Sequence, residues 1–243
     1  MPYTDKSFFE KLKPYVLTDM KNSGILASLT ASQAYIESSK GNSGLTKECN
    51  NLFGIKGDYK GQHGVYWTTE YYNGIKQRVQ AAFRKYPSWQ ESISDHSDMF
   101  NRMKRYKNLR GETNYQKACL NVQADGYATS PVYARTLFNT INKFKLYAWD
   151  AEVLGKPVDV ISTAPTSAMK KACALPTLKM GDKNEYVLNW QKYLNANGYF
   201  CGKEDGKFGI NTQQAVKAFQ ITKNLNPDGI IGINTWASIG LIA

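Results

Sequence analysis

Two glutamates sit where an ordinary surface acid would be out of place. Glu37 is the sole acid in residues 25–38, where Ile25, Leu29 and Ile36 recur at helical spacing and Ala27, Ala31 and Ala34 permit close packing. It falls at the C-terminal end, where the helix dipole opposes negative charge, so ionisation is disfavoured and a role other than stability is suggested. Glu70 lies in GVYWTTEYY (64–72), a run of β-branched and aromatic residues. Period-two alternation puts Tyr66, Thr68, Glu70 and Tyr72 on one face of a strand, and Val65, Trp67, Thr69 and Tyr71 on the other. Two carboxylates of unequal acidity suit acid-assisted cleavage of a glycosidic bond. One gives a proton to the leaving oxygen, and the other stabilises or traps the oxocarbenium-like centre. A carboxyl does the first job near neutral pH only where burial or a like charge raises its pKa. The residues alone leave both positions open. Glu37 is either that acid or a solvated helix-end carboxylate; Glu70 is either its partner across a cleft or a strand acid paired with Lys76 or Arg78.

These side chains need elements to hold them. Apolar residues at 8, 9, 12, 15, 16 and 20 predict a helix over 7–20, ended by Asn22-Ser23-Gly24, with Ser23 available to cap the next helix. Asn73-Gly74 between two strand-like runs, 64–72 and 75–83, predicts a hairpin with a two-residue turn. Helical patterning resumes over 88–103, 112–124 and 131–144. Residues 153–175 are rich in Ser, Thr, Ala and Pro without periodicity and read as a linker between residues 1–152 and 176–243. In the last part, DGKFGINT (205–212) recurs 23 residues later as DGIIGINT (228–235), with six of eight positions identical. Each copy is a Gly-rich turn leading into helix-starting Asn-Thr, so turn geometry explains its Asp and Gly better than metal binding does.

Composition narrows the classes. With 243 residues, 42% hydrophobic and 21% charged, the chain is near the globular norm, which excludes disorder throughout. No apolar stretch approaches the roughly 18 residues of a membrane span, and no membrane insertion is expected. Four cysteines without a CxxC pair and two histidines outside HExxH give no zinc or disulfide framework, so no metal and no cofactor is expected. Lys and Arg total 31 against 20 acids, a formal charge of +11. From Cys173 onward seven Lys and five acids give +2, leaving +9 on the first 172 residues. Such a surface suits a polyanion, namely nucleic acid, anionic lipid or an acid-bearing cell-wall polymer. No nucleic-acid motif accompanies it, so no nucleic-acid partner is expected.

The segments LASLTASQAYIES (26–38), CNNLFGIKG (49–57), the Y-x-x-G after Glu70 and YATSPVYA (127–134) follow in an order that resembles glycoside hydrolase family 73, over roughly residues 8–145. This family comprises endo-β-N-acetylglucosaminidases of bacterial autolysins, flagellar cell-wall hydrolases and phage endolysins. The resemblance implies an α+β lysozyme-like fold, mainly helical with a small β-hairpin lobe. It makes Glu37 the general acid, Glu70 the β-lobe carboxylate and Tyr127 a cleft tyrosine important for activity. It leaves the second step open between water activated by Glu70 and attack by the substrate's own N-acetyl group. Two departures from the family pattern are Ser130, where Asp is common, and Ser39-Lys40-Gly41 after Glu37-Ser38. Sugars stack on aromatic faces and hydrogen-bond at polar edges, so Tyr66, Trp67, Tyr71, Tyr72 and Tyr127 are cleft candidates. Asn51 and Phe53 are expected near the floor, Tyr133 is a further substrate-binding candidate, and Trp89 and Trp149 are assigned to the core.

Residues 178–241 resemble the all-α three-helix peptidoglycan-binding domain that accompanies many wall hydrolases, on Met180-Gly181-Asp182, Val187, Gln191, Leu194, Gly198-Tyr199, both DG turns and Phe219-Gln220. Tyr199, Phe200 and Trp236 are its candidate wall-binding residues. Together the resemblances imply a lysin that cuts the β-1,4 bond after N-acetylglucosamine in peptidoglycan, with anionic wall polymers as further partners. The N-terminus lacks a basic-then-apolar leader, so the expectation is cytoplasmic synthesis without a signal peptide and action at the wall after release. That favours a phage or prophage endolysin over a bacterial autolysin. The rival readings are a muramidase or a lytic transglycosylase on the same fold, or a non-catalytic wall binder.

Overall fold

The computed structural model of the protein describes residues 2–72, 75–128, 132–157, 163–169 and 174–239, with the side chains of 69–77, 233 and 237 outside the described set. The first helix, α1 (Asp5–Ser23), is set by a reciprocal cap. Thr4 Oγ1 accepts from the Ser7 N–H, and Ser7 Oγ accepts from the Thr4 N–H. Gly24 ends it in the left-handed region at φ 74°. The predicted stripe is the buried one: Phe8, Phe9, Leu12, Val16 and Met20 face inward, and α1 packs on α2 (Ala27–Glu37), α4 (Trp89–Arg102) and α7 (Tyr147–Leu154). Asp19, on the same side, accepts from Ser97 Oγ of α4 at 2.6 Å and from Ser23 Oγ at 3.1 Å. Burial nevertheless pushes its carboxyl up to about 6.

Helix α2 is surrounded. Every residue from Ala27 to Ala34 is buried, including Ser28, Thr30, Ser32 and Gln33, because small side chains let neighbouring elements approach on all sides. A helix start without access to water must have its N–H groups satisfied internally. Ser23 does not do this, contrary to expectation: it is the last residue of α1, and its hydroxyl accepts from the Ile25 N–H at 3.1 Å. The cap is Asp150 of α7, whose Oδ1 accepts from the Ser28 N–H at 2.8 Å across 122 residues. Asp150 is 3% exposed, and burial pushes its carboxyl up to about 7 despite that hydrogen bond.

After α3 (Gly44–Cys49), strands β1 (His63–Tyr72) and β2 (Ile75–Arg84) form an antiparallel two-stranded sheet. Its register runs from His63↔Arg84 to Tyr72↔Ile75, which leaves two residues between the strands as the hairpin reading expects; the Asn73-Gly74 turn lies outside the described residues. The hairpin base is tied to the body by Arg84 N–H to Ile55 O (3.0 Å) and Gly57 N–H to Ala82 O (2.9 Å). Gly64 is needed at that base, since a Cβ there would stand 2.7 Å from Cys49 Sγ. Helix α4 starts at the Ser88 cap; α5 (Tyr115–Ala124), capped by Asn114, α6 (Tyr133–Lys143) and α7 follow. Within the segment read as a linker, Gln116 of α5 holds Ala164 O and the Thr166 N–H, both at 2.9 Å, and Met169 is fully buried.

Two compact units divide the chain, one of residues 1–128 and 137–169, the other of 129–136 and 170–243. The second contains α8 (Glu185–Ala196), α9 (Ile210–Thr222) and the short α10 (Ile233–Ala237) around Trp190, Leu194, Phe208, Phe219 and Trp236. The repeated turns share one fastening. Gln191 Nε2 donates to Asp205 Oδ1, Lys207 O and Thr212 Oγ1, while its Oε1 accepts from the Gly206 N–H. Gln220 repeats the set with Asp228, Ile230, Thr235 and Gly229. Trp236 is corrected from a wall-binding to a core residue: it is 4% exposed and its indole N–H donates to Pro176 O at 2.9 Å.

The cap on α2 makes stability depend on pH. Native Asp150 keeps its proton up to about pH 7, whereas an unshifted Asp releases it near 3.8. The folded state therefore binds the proton more tightly, and this group takes stability away as pH rises from about 4 to about 7. Asp150→Asn retains an acceptor without the buried charge, so its melting temperature should gain on wild type across that window and exceed it at pH 8. Asp150→Ala should instead lose about 1–2 kcal/mol at pH 5, because the Ser28 N–H is left uncapped. Thermal melts of the three proteins at both pH values decide this; a pH-independent offset between wild type and Asp150→Asn would reject it.

Candidate active site

Glu37 is the last residue of α2, and the chain around it is fixed. Ser38 is fully buried; its hydroxyl donates to Ala34 O at 2.5 Å and accepts from the Gly41 N–H at 2.7 Å. Ser39, Lys40 and Gly41 then adopt φ of 52°, 59° and 75°, three successive left-handed residues that turn the chain sharply back. Only Gly fits the third: a Cβ at Gly41 would stand 3.0 Å from the Phe8 ring and 3.2 Å from Trp89. The departure noted at 39–41 is thus a helix stop that leaves Glu37 at the exit. Lys40, the nearest cation in sequence, is committed elsewhere: its ammonium lies 2.8 Å from Asp5, which also accepts from the Tyr35 hydroxyl. Glu37 itself is exposed, so the expectation of an acid sheltered by the protein alone is not met.

Tyr127 supplies the neighbouring surface. It follows α5 through Gly126 at φ 73°, with its N–H on Val122 O at 3.1 Å. Its ring packs on His96 (5.7 Å between centroids), Phe100 (5.6 Å) and Tyr106 (6.5 Å). Burial first, and then the negative charge of Glu37, push its phenol well above the ordinary value of 10. Tyr127 therefore keeps its proton and remains a hydrogen-bond donor beside the carboxylate. Phe53 lies behind this surface. It is 6% exposed and stacked on His96 at 3.9 Å, which corrects it from a substrate contact to a support. His96 is fully buried, burial pushes its imidazole down to about 3, and neither ring nitrogen has a hydrogen-bond partner among the described residues.

The hairpin is fastened to α3. Tyr66 Oη donates to Glu48 Oε2 at 2.6 Å and lies 3.3 Å from Cys49 Sγ; these two contacts, Cys49 first, raise the phenol's pKa. Trp67, on the opposite face, is 58% exposed with the Arg78 guanidinium 5.2 Å over its ring. Asn51 is corrected from a ligand to a clamp: it is 1% exposed, and its amide donates to Ile55 O and Arg84 O at 2.9 Å each. Tyr133 is buried in the first turn of α6, which removes it from the sugar-facing candidates. The backbone of Glu70 pairs with Gln77, two pairs from the turn; the side chains of Glu70, Tyr71 and Tyr72 lie outside the described residues, as do Thr129, Ser130 and Pro131. Trp89 is core as expected, while Trp149 is half-buried against Phe9. In the second unit, Tyr199 is half-buried with its hydroxyl 2.6 Å from Thr222 Oγ1, and Phe200 is 85% exposed. Among the described residues no cluster of His, Cys, Asp or Glu could hold a metal ion, and no helix is long and apolar enough to cross a membrane.

A buried helix delivering a glutamate to the body of an α+β domain, with a two-stranded hairpin as its β-lobe, defines the lysozyme-like class of glycan-cleaving folds. Residues 13–146 match the family described as mannosyl-glycoprotein endo-beta-N-acetylglucosaminidase, and the chain belongs to this glucosaminidase family. Residues 183–239 match the peptidoglycan binding domain family. The exo-glucosaminidase LytG of Bacillus subtilis is 35% identical over 176 residues, 70% of this chain and 62% of the relative; the chain thus spans less than two thirds of that protein. The catalytic domain of the Listeria monocytogenes autolysin Auto superposes with a TM-score of 0.57 at 28% identity, covering 61% of this chain and 89% of that one. A glycoside hydrolase domain of Salmonella typhimurium FlgJ does so with 0.51 at 32% identity, covering 58% and 98%.

The state of Tyr127 is open to measurement. Its phenol should not ionise while the protein is native, so Tyr127→Phe should form as much tyrosinate as wild type in an ultraviolet titration carried to about pH 10.5. A deficit of one tyrosinate in the variant would contradict the assignment.

Proposed function

We propose that the chain is a peptidoglycan hydrolase that cleaves the β-1,4 bond after N-acetylglucosamine, with residues 1–152 as the catalytic domain, 176–243 as the wall-binding domain and 153–175 connecting them. The observation that carries this is the Glu37 carboxylate at the exit of a buried helix, near enough to Tyr127 for its charge to help raise that phenol's pKa. In this reading Glu37 protonates the leaving oxygen as the glycosidic bond breaks. Tyr127 donates a hydrogen bond that orients the carboxyl or the sugar. The anomeric carbon then takes a water oxygen, either directly with Glu70 accepting the water's proton or after attack by the substrate's own N-acetyl oxygen. Of the hairpin candidates whose side chains are described, the exposed Trp67 ring is the one to stack on a sugar, and Tyr66 serves mainly to hold the hairpin. Tyr199 and Phe200 are carried as contacts to the wall.

Exposure of Glu37 fits this reading if the glycan itself supplies the shelter. One side of the carboxylate meets the neutral Tyr127–His96–Phe53 layer; a sugar in the cleft would remove water from the other and so favour the protonated form. The basic limb of the pH profile should therefore lie at higher pH for kcat, which reports the complex, than for kcat/KM, which reports the free enzyme. Coincident limbs would refute substrate-supplied shelter.

The decisive test is digestion of purified walls followed by identification of the new ends. Reducing N-acetylglucosamine is expected; reducing muramic acid or its anhydro form would instead assign a muramidase or a lytic transglycosylase. Glu37→Gln should lower kcat by about 10²–10⁴-fold with sedimentation onto walls retained. An unchanged rate would overturn the assignment of the acid.

A further inference from the structure

Residues 102–110, RMKRYKNLR, carry five cations and no acid. Arg102, Lys104, Arg105, Lys107 and Arg110 are all exposed, and none is in an ion pair among the described residues. Their polar surroundings are sparse: Arg102 Nε donates to Asp98 O at 3.3 Å, the Arg105 guanidinium lies 4.6 Å over the Tyr106 ring, and Asp125 senses the Arg105 charge. The segment is nonetheless held firmly. Tyr106 and Leu109 are each 1% exposed, Leu109 N–H donates to Tyr106 O, Gly111 N–H donates to Gly24 O at 2.9 Å, and Asn101 Nδ2 donates to Ser23 O at 3.1 Å. Two buried anchors thus display the cations on a preformed arc, which spares the ordering cost of binding.

The arc runs beside the candidate site. From the middle of the segment Tyr106 touches the Tyr127 ring, and immediately after it Gly111 is pinned at Gly24, just before α2 begins. Five exposed cations within nine residues fit a chain bearing a negative charge in every repeat, because each further contact releases more counterions. A lone carboxylate would engage one cation at a time. Single-stranded nucleic acid is a poorer fit, since it needs aromatic faces for its bases and the one aromatic residue of the segment is buried. We propose that residues 102–110 are a binding surface for phosphodiester-bearing polymers of the cell wall, set beside the glycan-cleaving site. The wall as the setting rests on the hydrolase reading; the charge interaction does not.

The test compares the full chain with Lys104→Gln/Arg105→Gln/Lys107→Gln in binding to purified walls, before and after hydrofluoric acid has stripped their phosphodiesters, across a salt series. The variant should bind intact walls about tenfold more weakly at low salt, with a shallower salt dependence, and should match wild type on stripped walls. Arg105→Lys should bind intact walls as wild type does. If the triple variant does not fold, Lys104→Gln/Lys107→Gln, which leaves the Arg105–Tyr106 contact in place, should still show a deficit confined to intact walls. Equal binding to intact walls, a deficit that persists on stripped walls as stem carboxylates would give, or a deficit seen only with DNA would each overturn the proposal. Release of sugar ends from stripped walls by wild type is scored separately: its absence would count against the hydrolase reading and leave the binding comparison standing.

Discussion

A helix buried for eight consecutive residues cannot finish its backbone hydrogen bonds in water, and the first unit is arranged around that constraint in α2. At its start, the Ser28 N–H goes to a carboxylate from α7, far away in sequence. At its end, Ser38 turns its hydroxyl back onto Ala34 O, and three left-handed residues carry the chain away. Each solution has a cost: Asp150 is buried as an acid, and Ser39 and Lys40 adopt a backbone that L-residues avoid by roughly 1–2 kcal/mol each. Both costs are met because the result fixes Glu37 at one point on the surface.

The chemistry around Glu37 follows from how charge is withheld from it. Lys40 is neutralised by Asp5, His96 is held neutral by burial, and Tyr127 keeps its proton. The aromatic layer behind the carboxylate is therefore uncharged. The same layer explains a fully buried histidine with unpartnered nitrogens. His96 acts as a flat ring between Phe53 and Phe100, where its neighbours call for shape and leave its titration unused.

Local periodicity made the buried face of α1 legible, since Phe8, Phe9, Leu12, Val16 and Met20 needed no distant information to declare it, while the helix extends beyond the 7–20 pattern to Asp5 and Ser23. Asn73-Gly74 likewise announced a register that the backbone pairing Tyr72↔Ile75 repeats. The motif order singled out Glu37 and Tyr127, and the structure lets the charge of the one act on the phenol of the other. What escaped was non-local. Ser23 satisfied every local rule for a cap, yet the cap came from residue 150. Asn51 and Phe53 looked like ligands because they belong to a motif, but the motif exists to brace the hairpin base and the His96 stack. Glu48, which holds Tyr66, gave no signal at all, because an acid in a short surface helix is unremarked until its partner on another element is known.

The second unit shows the opposite case, in which repetition in the sequence becomes repetition of a contact. Gln191 and Gln220 each bind the aspartate, carbonyl and threonine of one turn, so the repeated Asp and Thr are consumed in fastening helix to turn. Side chains spent in this way cannot also hold a ligand, and Trp236, with its N–H on Pro176 O, is spent as well. The accessible surface of the unit is left to side chains outside these contacts. Phe200 is one of these: it lies between the helices in sequence, outside either repeat, with most of its ring in water. A ring left in water there adds nothing to the packing of so small a core, in contrast to Trp236, whose burial and indole hydrogen bond both hold the unit together.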